Sequence, residues 1–349
     1  MVSDPSDRCG FRLNVGVDGA GPDEPCDRPT WEDHDHCIWH AEVDGKTRDQ
    51  LEDARSDGED GLNGAYLREA SLVGVDWFAD ASLIGADFSG ATLIDTDFSG
   101  SDLTLATLTD ANGINADFSG ANLEGAIFTN ADLRRANLLD AYLNDAVLTD
   151  VHIGEETEFG DLSIYERETA EPGFGNNHPL EAASWTYREL QQLYRDNALP
   201  KLARRSYNLE KDARRRLAWT QRDYGNAIKW EVSRWVMHYG SSPYRVLGVS
   251  LSVIVICALL FPLTGGIQET QGGQAITYTI EDPEATPLWW TAEILYKSLY
   301  FSMITFATLG YGDIQPVGPY ARMLAAVETI IGSLLSAILV FVLTRIVTW

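Results

Sequence analysis

The sequence predicts a mixed fold of three parts: a repeat-built amino-terminal half, a helical middle and an α-helical carboxy-terminal membrane domain. Three observations predict it. An apolar residue recurs at every fifth position from about Leu62 to Ile153, the balance of charge reverses over residues 181–240, and two long apolar segments bracket a glycine-containing loop near the end. With 349 residues the chain has room for two or three domains.

The net charge of −26 is unevenly placed. Residues 1–180 hold 38 acidic and 10 basic side chains, residues 181–240 hold 7 and 12, and the remainder holds 7 and 4. The chain is thus acidic in front and basic just before its first apolar segment. Strong acidity with five lysines against 21 arginines resembles proteins of haloarchaea, whose acidic surfaces stay soluble in concentrated salt. Met1-Val2-Ser3-Asp4-Pro5 lacks the basic and apolar regions of a signal peptide, so the amino terminus is expected in the cytoplasm. Four cysteines in such a chain read as reduced, metal-bound or buried, not as disulfides.

Residues 1–60 carry Cys9, Cys26, Cys37 and His40, with His34 and His36 nearby. Three thiolates and one imidazole suit tetrahedral Zn²⁺, and a short polar segment rich in Gly and Pro needs such a staple to fold. The irregular spacing leaves a second reading, an acidic leader with incidental cysteines. Residues 49–60 read as a charged linker with helical tendency.

Over residues 61–154 the apolar centres are Leu83, Phe88, Leu93, Phe98, Leu103 and Leu108, then Phe118 to Ile153 in the same step, with Gly113 alone breaking the series. Leu67, Leu72 and Trp77 extend the series backwards after a one-residue slip, and a small residue precedes each centre by two. A period of five fits neither a helix nor a strand. These residues resemble pentapeptide-repeat proteins, and the resemblance implies a right-handed quadrilateral β-helix with four five-residue faces per coil. The centre and the small residue would both point inward. The repeat says almost nothing about function. The acidic faces are read as a solvated spacer ahead of a surface for an unidentified protein partner or a mimic of nucleic acid.

Residues 155–179 read as a Gly, Pro and acid-rich linker that releases the β-helix from the helical middle. Residues 180–240 read as helical. Tyr187, Leu190 and Tyr194 line a first helix, Asn197-Ala198-Leu199-Pro200 makes a turn, and Leu202, Ala203, Tyr207 and Leu209 begin a second. This resembles a single tetratricopeptide-type hairpin. The run Lys211 to Arg216, with Lys229 and Arg234, fits the cytoplasmic flank of a membrane protein and contact with anionic lipid headgroups better than it fits nucleic acid. Trp230, Trp235 and Tyr239 are expected on an interfacial amphipathic helix.

Residues 243–349 are read as the membrane domain. Val246 to Leu263 is 18 residues without a charge, long enough to span a bilayer. Residues 264–288 contain Glu269, Glu281, Asp282 and Glu284 but no Lys or Arg, so they belong outside. Residues 289–306 would be a pore helix and residues 323–349 a second spanning helix. Between them Thr308-Leu309-Gly310-Tyr311-Gly312-Asp313 resembles the selectivity filter of potassium channels, with Leu309 where valine or isoleucine is usual. The glycines tolerate the backbone angles that let successive carbonyls face one axis.

The order helix, pore loop, helix resembles the two-transmembrane potassium channels of prokaryotes. The resemblance implies a homotetramer in the cell membrane that conducts K⁺, with both termini cytoplasmic and gating modulated by the amino-terminal domains. Gly332 stands where such channels often have a gating hinge, although membrane-helix glycines are also packing points. Glu328 lies within the second spanning helix, where a carboxylate costs about 2.5–3.5 kcal/mol unless partnered or wet. Cys257 reads as a packing residue. No nucleophile and base constellation suggests an enzyme. The competing readings are a weakly selective cation channel and a membrane-anchored pentapeptide-repeat scaffold.

Overall fold

A computed structural model describes residues 8–13, 25–55, 62–166, 178–271, 274–280 and 287–347. The opening Met1 to Pro5, the linker residues 56–60 and 167–177, the outer acids Glu281, Asp282 and Glu284, and the terminal Trp349 lie outside those residues. The chain divides into two compact units, Met1–Tyr224 and Gly225–Trp349.

The first unit is built on the five-residue repeat. Parallel bridges join residues 20 apart, as in Ser82↔Asp102, Asp102↔Asn122 and Asn122↔Tyr142, so four repeats make one coil of a quadrilateral β-helix. Every centre from Leu83 to Phe128 other than Gly113 is buried, and from Ala86 onward the alanines two residues earlier are buried beside them. Large and small side chains thereby fill a narrow core. Where Thr96 and Ser101 replace alanine, their hydroxyls donate to the Leu72 and Phe98 carbonyls at 2.8 and 2.7 Å, which removes the cost of burying them.

The slip falls one residue from its expected place. Phe78, not Trp77, is the centre before Leu83, and it stacks on Phe98 with ring centroids 5.3 Å apart. Trp77 lies outside the core beneath the guanidinium groups of Arg48 and Arg55. Phe98 also stacks on Phe118 at 5.1 Å. Phe98→Ala is therefore expected to cost about 3–5 kcal/mol, seen as a fall in the chemical denaturation midpoint of the β-helix.

Much of the acidity has a local structural cause. Asp87, Asp97 and Asp117 accept the backbone N–H two residues on at 2.9 Å, and the following corner often holds Gly, Asp or Asn at positive φ. Short polar side chains and glycine are the residues that tolerate those turns.

Both ends of the β-helix are covered. At the amino end Gly45 N–H donates to Arg68 O, Ser71 N–H to Lys46 O and Arg48 N–H to Ser71 O, adding a partial rung. Helix α1, Arg48–Asp53, follows with Thr47 and Gln50 forming a capping box. The buried Lys46 amine donates to the carbonyls of Ala41 at 2.7 Å and Tyr66 at 2.5 Å, and desolvation pulls its pKa down to about 8.

At the carboxy end the expected releasing linker instead docks. Phe159 and Tyr165 are buried, the Tyr165 hydroxyl donates to Glu124 at 2.7 Å, and Ser163 N–H donates to the Tyr187 hydroxyl at 2.8 Å. Apolar and aromatic side chains in that segment outweigh its Gly and Pro content. Helices α2, Pro179–Asp196, and α3, Pro200–Thr220, form an antiparallel hairpin. Asn197 in its turn clamps the last coil, accepting from Ile153 N–H at 3.0 Å and donating to Val151 O at 2.8 Å.

The second unit contains α4, Tyr224–Met237, α5, Pro243–Leu260, and a three-stranded antiparallel sheet. Its strands are β1, Ile267–Gln271, β2, Gln274–Tyr278, and β3, Ile314–Pro316. Helix α6 is Leu288–Phe306 and α7 is Gly318–Val347. Helix α7 begins five residues ahead of the expected Met323, because Gly318 turns at positive φ and Pro319 suits the first helical turn. Helices α5 and α7 are long and apolar enough to cross a membrane. The exposed stripe of α4 is Tyr224, Ile228, Val232 and Trp235, whereas Tyr239 is buried after a left-handed turn, which corrects its expected place on the interfacial face.

Candidate functional site

The loop Thr308 to Asp313 continues directly from α6. Thr308 N–H donates to Thr305 O at 3.0 Å and Leu309 N–H to Ile304 O at 2.9 Å, so the loop is stitched to the partly negative end of the helix. Thr308, Gly310 and Gly312 have φ of +57°, +50° and +79°. Left-handed residues therefore alternate with Leu309 and Tyr311, whose φ is not positive. Leu309 and Tyr311 are 56% and 66% exposed on the single chain.

Tyr300, Lys297 and Tyr278, unremarked in the sequence, join Glu269 around this loop. The Tyr300 hydroxyl on α6 donates to Asp313 at 2.9 Å. Strand β3 begins at the next residue and pairs with β1, with Glu269 opposite Ile314. The Glu269 carboxylate in turn meets Lys297 of α6 at 2.8 Å and accepts from the Tyr278 hydroxyl at 3.0 Å. The Asp313 end of the loop is thus tied both to its helix and to the sheet. The chemical signal for these ties was weak, since isolated Tyr and Lys residues on an apolar helix look interfacial.

Glu328 is fully buried and accepts from the Ser302 hydroxyl, so it faces protein behind the loop. Gly332 lies against the end of α6. A Cβ there would stand 2.3 Å from the Phe306 carbonyl oxygen, so the close helix approach itself requires glycine. Cys257 is buried among apolar side chains. At the far end of α7, Arg345 donates to Tyr239 O at 3.3 Å, joining that helix to the turn before α5.

In the first unit, the Cys9, Cys26 and Cys37 sulfurs and a His40 ring nitrogen converge within 4.8 Å of one another. The Cys26 and Cys37 sulfurs are 3.9 Å apart, and His40 Nδ1 is 3.4 Å from Cys9 and 3.3 Å from Cys37. Tetrahedral zinc, with bonds of about 2.3 Å to sulfur and about 2.0 Å to nitrogen, needs donor separations of about 3.5–3.8 Å. The cluster could hold such a metal. His40 Nε2 lies 3.1 Å from Asn63 O, so donating there leaves Nδ1 free as the ligand atom. His36 Nδ1 instead faces the Cys9 carbonyl at 2.9 Å, and His34 stacks on Trp31. A hydrogen bond between the Cys26 and Cys37 thiols draws the Cys26 pKa down to about 3 and pushes that of Cys37 up.

Residues 271–348 match a family described as ion channel, and residues 78–112 and 114–150 match pentapeptide repeats in eight copies, the gap falling at Gly113. Among solved structures the chain is similar to a pentapeptide-repeat protein of the Arabidopsis thaliana thylakoid lumen. Identity is 32%, coverage 28% of this chain and 70% of the other, and TM-score 0.23. A pentapeptide-repeat protein from Nostoc PCC 7120 is 30% identical over 33% of this chain and 86% of its own, with a TM-score of 0.17. No curated protein matches the chain.

Proposed function

We propose, for a chain that belongs to the pentapeptide-repeat family in its amino-terminal half and carries an ion-channel domain in its carboxy-terminal part, the function of a K⁺-selective channel built from four identical copies. The alternation of left-handed backbone at Thr308, Gly310 and Gly312 carries this reading. Carbonyl oxygens of Thr308, Leu309, Gly310 and Tyr311 replace the hydration shell of K⁺, the Thr308 hydroxyl adds an inner ligand, and Asp313 marks the outer mouth. One chain cannot enclose an ion, and lipid cannot satisfy exposed loop backbone, so helices of the other copies surround it. Recording across K⁺ and Na⁺ gradients tests selectivity, and a reversal potential insensitive to the K⁺ gradient would favour the weakly selective reading suggested by Leu309.

The basic residues before α5 and the outer segment without Lys or Arg support a cell-membrane topology with cytoplasmic termini. The exposed stripe of α4 beside Lys229 and Arg234 suits the headgroup region of anionic lipid. Modulation by the amino-terminal domains would reach the inner end of α7 through α4, because Arg345 is bonded to Tyr239 in the turn that follows that helix. Deleting residues 1–180 should change single-channel open probability; an unchanged value would reduce the front half to a scaffold or a docking module for a protein partner. In the Cys9, Cys26, Cys37 and His40 cluster, Zn²⁺ serves a structural role.

Glu269 fastens the outer end of the filter. Glu269→Gln is expected to leave assembly intact but accelerate current decay several-fold, because it weakens a charge-assisted contact worth about 1.5–3 kcal/mol. A double exchange, Glu269→Lys with Lys297→Glu, should restore slow decay. Failure of the exchange to do so would remove the ion pair from the account.

A further inference from the structure

The four metal donors sit on the segments that close the open end of the β-helix. Cys9 and Cys26 lie on two segments joined by the Arg8↔Pro29 bridge and by Cys9 N–H to Arg28 O and Gly10 N–H to Cys26 O, at 2.9 and 2.8 Å. Cys37 and His40 lie one turn apart on the segment that leads into the added rung. Trp39, between them, is fully buried and offers its carbonyl to Tyr66 N–H of the first regular coil at 2.7 Å.

His40 then reaches the β-helix through Asn63. Its Nε2 meets the Asn63 carbonyl, and the Asn63 side-chain oxygen accepts from Ile84 N–H at 2.9 Å and from the Ser82 hydroxyl at 2.7 Å. A continuous polar path therefore runs from the metal donors to the second coil. Phe11, two residues after Cys9, stacks on the His40 ring at 4.1 Å and lies over Gly64, where a Cβ would come within 2.6 Å of it. The close approach of Phe11 thus depends on the same pocket that gathers the thiols.

We propose that Zn²⁺ at Cys9, Cys26, Cys37 and His40 is the lock of this cap, so that metal occupancy decides whether the first coil's strand edge is closed or open. The inference rests on the zinc reading of the cluster and extends it to regulation. The cap segment is short and polar, and its own apolar core is small, so metal binding supplies its folding energy. When the metal leaves, three thiols and an imidazole no longer hold the two cap segments together. Tyr66 and Ser71 then lose the partners Trp39 O and Lys46 O, leaving an unpaired edge of the kind folded proteins normally cover.

The test uses the full-length channel purified in detergent, with metal content measured and amide hydrogen exchange followed before and after treatment with a zinc chelator. One zinc per chain is expected. Its removal should speed exchange at Tyr66 and Ser71 by at least about tenfold, while Leu103 and Phe118, in the middle of the β-helix, keep their protection. Adding Zn²⁺ back should restore it. His40→Ala should behave as the chelated protein does, and Cys257→Ser should retain both metal and protection. Zinc that leaves without changing Tyr66 and Ser71 would overturn the lock but keep the metal site. Protein that neither holds nor rebinds zinc would overturn both.

Discussion

Gly310→Ala is expected to reduce K⁺ flux by more than about tenfold while leaving folding and assembly intact. At φ of +50° a side-chain-bearing residue is strained by about 1–2 kcal/mol. In the proposed tetramer four such strains would meet at one ring of carbonyls, whose geometry must match a dehydrated ion. Within the chain an added Cβ at Gly310 meets nothing within 4 Å, so the single chain has no steric reason to misfold. Gly248→Ala is the matching control, because that glycine lies in α5 with equally open surroundings. The measurement is flux from reconstituted vesicles beside the oligomeric mass in detergent. Wild-type flux from Gly310→Ala would detach this loop from conduction.

Gly332→Ala is expected to lower the thermal midpoint of the assembled protein and to abolish most of its flux. The new methyl group would meet the Phe306 carbonyl at 2.3 Å, and that atom is backbone at the end of a helix, with no rotamer to escape into. Overpacking of this type costs about 1–3 kcal/mol per chain. The displaced residue stands one before Ala307 and two before Thr308, so the movement passes into the start of the proposed filter loop. The hinge expectation predicts otherwise: an unchanged midpoint with an altered open probability. Thermal melting and single-channel recording of the same preparation separate the two.

The β-helix was legible because each fifth residue is a core residue, so burial writes itself directly into the spacing. The slip was not, since Trp77 and Phe78 are adjacent and either could fill the core. The choice fell to the stacking of Phe78 on Phe98. Cys9, Cys26, Cys37 and His40 were legible as a set because thiols are scarce in the chain, and their donors do converge. The attachment of His40 to Asn63 was not, because a backbone carbonyl leaves no trace in residue type.

The three-stranded sheet escaped notice for a related reason. Ile267–Gln271 and Gln274–Tyr278 are short and rich in Thr and Gln, with too little apolar alternation to mark strands. Tyr239 was misplaced because a helical pattern hides the left-handed turn that ends it. Tyr300, Lys297 and Glu269 meet only after α6, the sheet and the loop are assembled.

The central claim, that Thr308 to Asp313 selects K⁺, is tested most directly by the reversal potential of purified protein in planar bilayers with K⁺ on one side and Na⁺ on the other. The account predicts a potential close to the K⁺ equilibrium value, shifting with the K⁺ gradient. A reversal near zero under that asymmetry, or no current from correctly assembled protein, would contradict it.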